Sequence, residues 1–160
     1  MDHNNILPVV LAGGKSKRFG EDKSQAKLGG KILIDYILSE LIDEFNEVLI
    51  VANDPIKHLS SGKITKIEDF QKNLGPLGGI LSSMKWVRKK NKSYKWIASF
   101  PSDTPFFNKI IFNNFLKKVN EKESELFFMN SNKKRHNIFG LWAVDLIDQL
   151  EKDLENGSRK

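Results

Sequence analysis

Ile6-Leu7-Pro8-Val9-Val10-Leu11-Ala12-Gly13-Gly14 is an apolar run that breaks on two adjacent glycines. A run of this length reads as a buried strand, Ile6 to Leu11. Pro8 has no amide hydrogen, so it is expected at an unpaired or irregular place in the ladder. The paired glycines after the strand let a ligand approach the backbone closely. Outward from this stretch, Ile34, Ile37, Leu38, Leu41, Ile42 and Phe45 recur at three- and four-residue steps, which predicts a helix from about Leu33 to Phe45. Glu47 to Ala52 reads as a second buried strand that ends on the turn residues Asn53-Asp54-Pro55, and Thr65 to Glu68 as a short third. After Gly75-Pro76 a helical stripe runs Leu77, Ile80, Leu81, Met84, Val87, followed by a strand from Lys95 to Phe100. Phe107, Ile111, Phe115 and Val119 mark a further helix. Glu125 to Met129 and Ile138 to Ala143 are strands around a basic turn, and Val144, Ile147, Leu150 and Leu154 mark a closing helix. Strands alternating with helices predict an α/β sheet of βαβ units, whose ligands bind outside the carboxyl ends of the strands.

The bulk numbers agree with that class. At 160 residues, 39% apolar and 29% charged, the chain fits one domain, 1–160, with a core that needs no staples. It has no cysteine, which excludes disulfides, Cys-ligated zinc and thiol chemistry. No apolar run approaches the roughly 18 residues of a membrane span, and Met1-Asp2-His3-Asn4-Asn5 lacks the start of a signal peptide. A soluble cytoplasmic chain without membrane contact is expected. The net charge of +6 favours encounter with anions such as nucleotides or pterin phosphates. Lys89-Lys90, Lys117-Lys118 and Lys133-Lys134-Arg135 are expected as solvated charge at helix ends and turns.

Three segments carry candidate chemistry. In Leu11 to Lys23, Gly14-Lys15-Ser16 matches the end of a P-loop, but Val9 stands where that motif needs its first glycine, and no G-x-G-x-x-G is present. The loop still offers Gly13 and Gly14 followed by cations: Arg18 suits a forked contact to phosphate oxygens, and Lys23 a point charge at a leaving pyrophosphate. Asp69 follows a short strand, and Gly75-Pro76-Leu77-Gly78-Gly79 opens a helix where amide donors are accessible. In Phe100-Pro101-Ser102-Asp103-Thr104-Pro105-Phe106 an acid lies just past a strand; Thr104 before Pro105 fits a helix cap, leaving Asp103 free. Mg²⁺ takes one or two carboxylates plus phosphate oxygens, so Asp103 is adequate chemistry for it.

Leu11 to Lys23 resembles the nucleotidyltransferase signature L-A-G-G-x-S-x-R-M-G-x-D-K, with Phe19 in place of Met. With Glu68-Asp69, Gly75-Pro76-Leu77-Gly78-Gly79, Ser102-Asp103-Thr104-Pro105, His136 and Gly157-Ser158-Arg159-Lys160 following in order, nearly the whole chain is similar to the molybdenum cofactor guanylyltransferase family. The resemblance implies a three-layer, Rossmann-like nucleotidyltransferase fold with a mostly parallel central sheet. It implies transfer of GMP from GTP to the terminal phosphate of molybdenum-molybdopterin with release of pyrophosphate. It also implies nucleotide contacts at Leu11, Ala12, Gly13, Gly14, Lys23, Asn53, Asp69, Gly78 and Asp103, charge stabilisation by Arg18 and Lys23, and Mg²⁺ on Asp103. Asn53 retains one position of the family's N-A-N segment, whose first position is Val51 here. His136 corresponds to an element near the acceptor, with Asn137 replacing its proline. The family continues past this point with a last strand and helix, which 1–160 is expected to lack. Transient contacts with molybdopterin-synthesis or molybdoenzyme proteins would accompany such a role.

Two other readings stand beside this one. A related nucleotidyltransferase would use a sugar phosphate or another NTP, although Gly14 differs from the L-A-A-G of the cytidylyl relatives. A non-catalytic nucleotide-binding partner or nucleic-acid binder would use the positive charge alone; the latter calls for aromatics interleaved with basic residues, whereas Phe and Trp here follow core spacing.

Overall fold

A computed structural model describes residues 1–12, 25–71, 74–131 and 133–157. In chain order the elements are β1 (Ile6–Leu11), β2 (Lys27–Leu28), β3 (Lys31–Ile32), α1 (Leu33–Glu44), β4 (Val48–Val51), β5 (Ile64–Ile67), α2 (Gly75–Lys89), β6 (Trp96–Pro101), α3 (Lys109–Val119), β7 (Leu126–Ser131), β8 (Lys134–Ala143) and α4 (Ile147–Glu155). Short 3₁₀ turns cover His3–Asn5 and Val144–Leu146. The central sheet has the order β5-β4-β1-β6-β8-β7. β5, β4, β1 and β6 run parallel, and β8 is antiparallel to both β6 and β7. The α/β, mostly parallel arrangement expected from the alternating pattern is therefore present.

Strand alternation divides the interior into two cores. Ile6 and Val10 of β1, Val48 and Ile50 of β4, and Ala98 and Phe100 of β6 face α1 and α3. Leu7 and Val9, Leu49 and Val51, and Ile97 face α2 and α4 on the other side. Both faces are covered, which is why the central strands are continuous apolar runs rather than half-polar ones. Pro8 fits its place. Ala12 N–H donates to Val51 O at 2.9 Å, so even-numbered backbone groups of β1 point toward β4, and the β1–β4 register begins only at Val9↔Leu49. The hydrogen that proline lacks would lie on the β4 side, ahead of the first β1–β4 register pair.

Several features depart from the sequence expectations. Lys27 to Ile32 forms a small hairpin on Gly29 and Gly30, whose φ values of 57° and 83° are those of a two-residue turn that twists with its strands. The buried face of α3 is Phe112, Leu116 and Val119, not the series through Ile111 and Phe115. Ile111 is 42% exposed. α3 carries two apolar stripes, and four-residue spacing alone selects the outer one. The helix is capped by Asn108, whose Oδ1 accepts from Ile111 N–H at 3.1 Å; Thr104 instead donates to Pro101 O at 2.9 Å, closing a turn before the helix. Among the described residues, no helix is long and apolar enough to cross a membrane.

Phe100 is fully buried and meets Phe107, Phe112 and Phe139 at ring-centroid distances of 5.2, 5.3 and 5.1 Å. It joins β6 to α3 and β8. Phe100→Ala is expected to lower unfolding free energy by about 3–5 kcal/mol in urea titrations, with Phe100→Leu losing much less. Equal small losses in both would contradict this packing.

Candidate functional site

The registers place Ile67, Val51, Leu11 and Pro101 in one row across β5, β4, β1 and β6. Asn53, Asp69 and Asp103 each stand two residues beyond that row, on the carboxyl edge where open α/β sheets bind ligands. Three strand spacings separate β5 from β6, a span of about 14 Å. The ladder is tied to its last residues: Ala12 N–H donates to Val51 O at 2.9 Å and Ala52 N–H to Ile67 O at 3.0 Å.

Asn53 and Asp69 hold each other. Asn53 Nδ2 donates to Asp69 Oδ2 at 3.0 Å, and Asp69 N–H donates to Asn53 Oδ1 at 2.9 Å. The next amide, Phe70 N–H, donates to Ser82 Oγ at 2.7 Å, which itself donates to Gly78 O on α2. The loop after β5 is thus fixed to β4 on one side and to α2 on the other. The remaining carboxylate oxygen, Asp69 Oδ1, is buried and has no hydrogen-bond partner among the described residues. Loss of solvent pushes the Asp69 carboxyl above its ordinary value, and the Asn53 hydrogen bond opposes that only in part.

Oδ1 faces the first turn of α2. Leu11, Val51, Asp69, Gly75, Pro76 and Gly79 line a narrow cleft there. A methyl built on Gly79 would stand 2.8 Å from Leu11 Cδ2 and 3.4 Å from Asp69 Oδ1. Gly78 has a different neighbour, since a methyl there would meet Leu74 Cβ at 2.6 Å. Each helical glycine sacrifices roughly 1 kcal/mol of helix propensity relative to alanine. Gly78 lets α2 start tightly after Leu74, whereas Gly79 keeps the cleft open. Gly79 lies inside the sequence motif but was not among the expected contacts; spacing does not tell two adjacent glycines apart.

Expected backbone contacts at Leu11 and Ala12 are narrowed by the ladder. Ala12 N–H is committed to Val51, which leaves its carbonyl, and Leu11 reaches the cleft with its side chain. Asp103 is exposed in the turn after β6 and makes no hydrogen bond or ion pair among the described residues. A hard carboxylate in that position is a donor suited to a divalent cation completed by phosphate oxygens. Among the described residues no three His, Cys, Asp or Glu side chains gather into a metal cluster. His136 sits on β8, opposite Met129 of β7, with Nε2 2.6 Å from Ser131 Oγ. The β6–β8 register ends at Ser99↔Gly140, so Lys134–Phe139 continues past it toward the Asp103 edge. The expectations for Gly13, Gly14, Arg18 and Lys23 lie outside the described residues.

With that geometry in place, four likenesses to known proteins bear on it. The model of the MobA-like NTP transferase domain matches residues 8–160. A molybdenum cofactor guanylyltransferase of Haemophilus influenzae is 31% identical over 160 residues, covering 97% of this chain and 79% of that protein. The crystal structure of molybdopterin-guanine dinucleotide biosynthesis protein A from Archaeoglobus fulgidus superposes with a TM-score of 0.72 at 20% identity, over 96% of this chain and 75% of the other. A Mycobacterium tuberculosis protein solved as a manganese complex superposes at a TM-score of 0.62 and 13% identity, over 98% and 85%. The two structural likenesses speak for the fold.

The raised Asp69 value has a sign that can be checked. The folded chain holds this proton more tightly than the unfolded chain, so its contribution to stability is full below the unfolded value near 3.8 and is lost as pH rises through the folded value. Asp69→Asn is therefore expected to melt higher than the parent at pH 7, with the difference vanishing in acid. A carboxyl titration by NMR should place Asp69 above an ordinary aspartate, and Asn53→Ala should move it further up; a downward move would contradict the clamp.

Proposed function

This chain belongs to the MobA-like NTP transferase family and is a nucleotidyltransferase, and on that footing we propose that it transfers GMP from GTP to the terminal phosphate of molybdenum-molybdopterin. A phosphate oxygen of the acceptor attacks the α-phosphorus of GTP in line; the new P–O bond forms as the bond to the β-phosphate oxygen breaks, and pyrophosphate leaves. No covalent protein intermediate is needed, because positioning and charge stabilisation carry phosphoryl-type transfer.

The observation that carries the reading is the buried Asp69 Oδ1, which lies beside Gly79 and has no hydrogen-bond donor among the described residues. A buried acceptor without a donor is costly unless a ligand supplies one, and a nucleoside brings base N–H and ribose hydroxyl donors. Asn53 holds the carboxylate in aim, Gly79 lets the Leu11 side chain sit close against α2, and Leu11 and Val51 form the apolar wall. About three strand spacings away, Asp103 is the residue that would hold Mg²⁺, which when bound supplies neutralising charge to the triphosphate. Arg18 and Lys23 stabilise the departing phosphates, with Gly13 and Gly14 giving them backbone access. Gly78 contributes by seating α2. The extension of β8 past β6, toward the Asp103 edge, supports a role for His136 on the acceptor side. The reading sets the reaction in the cytoplasm, with proteins that make or receive the cofactor as transient partners.

In an assay of pyrophosphate release with molybdopterin, GTP and Mg²⁺, Asp103→Ala and Lys23→Ala are each expected to lose about 10²–10³-fold in turnover while keeping the parent circular dichroism. Near-normal rates in both would end the assignment. Calorimetric titration with GTP, CTP, UTP and ATP should show one strong binder, GTP. Gly79→Ala should weaken that binding by about 10–100-fold, because its methyl drives the Leu11 side chain into the cleft.

A further inference from the structure

β4 and β5 are adjacent parallel strands, and the connection between such strands is ordinarily a helix. Here residues 52–63 join them without helix or strand. A helix satisfies its own backbone groups, whereas an irregular connection must find partners elsewhere. Ile56 and Leu59 pack against the core on the α1 side, and side chains from outside the connection take its main-chain groups. Asp35, in the first turn of α1, accepts from Leu59 N–H at 2.7 Å through Oδ1. Gln25 takes both main-chain groups of Lys57: its Oε1 accepts from Lys57 N–H at 2.8 Å, and its Nε2 donates to Lys57 O at 3.0 Å. That is the pair of bonds which a residue on a neighbouring strand would exchange.

The place of this clasp bears on the site. Ala52 N–H is fixed to Ile67 O, and the next residue is Asn53, whose side chain grips Asp69. The stretch 53–56 therefore spans two fixed points, the ladder at one end and the Gln25 clasp at the other. Pro55, with its fixed φ, stiffens it between them. A stretch held at both ends keeps Asn53 at the angle from which it donates to Asp69 Oδ2 and accepts from Asp69 N–H at once. Gln25 and Lys57 are 32 residues apart in the chain, so the clasp is a tertiary contact and not a local turn. In sequence Gln25 stands two places after Lys23, and one side chain thus joins the Asn53 loop to the segment proposed to hold the phosphates.

Building on the guanylyl-transfer reading, we propose that Gln25 is a positioning residue for the reaction: it clasps the Lys57 main chain so that Asn53 holds Asp69 in aim at the nucleotide. It touches no reacting atom. Its effect passes through Asn53 and Asp69, which separates it from a residue that merely steadies the fold.

Gln25→Met keeps the length of the side chain and removes both bonds. Followed by NMR, the Asp69 carboxyl is expected to titrate higher in this variant than in the parent, in the direction of Asn53→Ala, because a loosened Asn53 stabilises the carboxylate less. Calorimetric binding of GTP with Mg²⁺ should weaken about fivefold to tenfold. In the Asn53→Ala background the same substitution should add no further loss. Gln25→Glu, which keeps the acceptor for Lys57 N–H and lacks the donor to Lys57 O, should fall between the parent and Gln25→Met, with melting curves confirming that both variants fold. An Asp69 titration unchanged in Gln25→Met overturns the proposal, as do losses of GTP affinity that add fully to those of Asn53→Ala. A parent chain that binds no GTP overturns the nucleotide reading instead, and the Asp69 titration then still reports on the clasp.

Discussion

The parallel ladder governs what the rest of the molecule can do. Hydrogen bonds carry β5, β4 and β1 in step to a common last row, with Ala12 N–H on Val51 O and Ala52 N–H on Ile67 O closing it. In the central strands β4, β1 and β6 both faces are covered, and the polar side chain there, Ser99, has its hydroxyl spent on Ile138 O and the Trp142 indole. Polar groups are displaced past the row, and because the strands end together, those groups emerge together. The presence of Asn53, Asp69 and Asp103 on one edge is a consequence of register, and hydrogen bonds between Asn53 and Asp69 then fix the first two against each other.

Asp69 shows how such a position is held against its own cost. Its backbone is fastened to Asn53 and, one residue on, to Ser82, while half of its carboxylate is left unpaired. A structure selected for stability alone would place an apolar or amide group there. Retaining a half-buried carboxylate there fits the proposed nucleotide site, where the ligand would supply the donor.

Much of this was legible in the residues. Apolar runs located the long strands, although β8 begins at Lys134, inside the run read as a basic turn, because its first residues are polar and exposed; the α1 stripe was readable because only one face of that helix is apolar. α3 misled because it has two such faces, and period alone does not say which one meets the sheet. The β2–β3 hairpin went unread although Gly29-Gly30 between short runs is a turn signal; two-residue strands leave no periodicity to anchor it. Thr104 before Pro105 looks like a cap, but the helix begins four residues later because Asn108 competes successfully for its first amides. Asp69 and Asp103 were found through motifs, whereas the orphaned oxygen and the division of labour between Gly78 and Gly79 depend on distances that appear only once α2 is seated on β1 and β4.

The half-unpaired carboxylate also has a bearing on the lifetime of the protein. On the proposed reading, a nucleotide that binds the folded chain and not the unfolded one protects it by mass action. Its resistance to proteolysis would then follow the local supply of whatever fills that cleft, so that scarcity of the ligand thins out the catalyst itself.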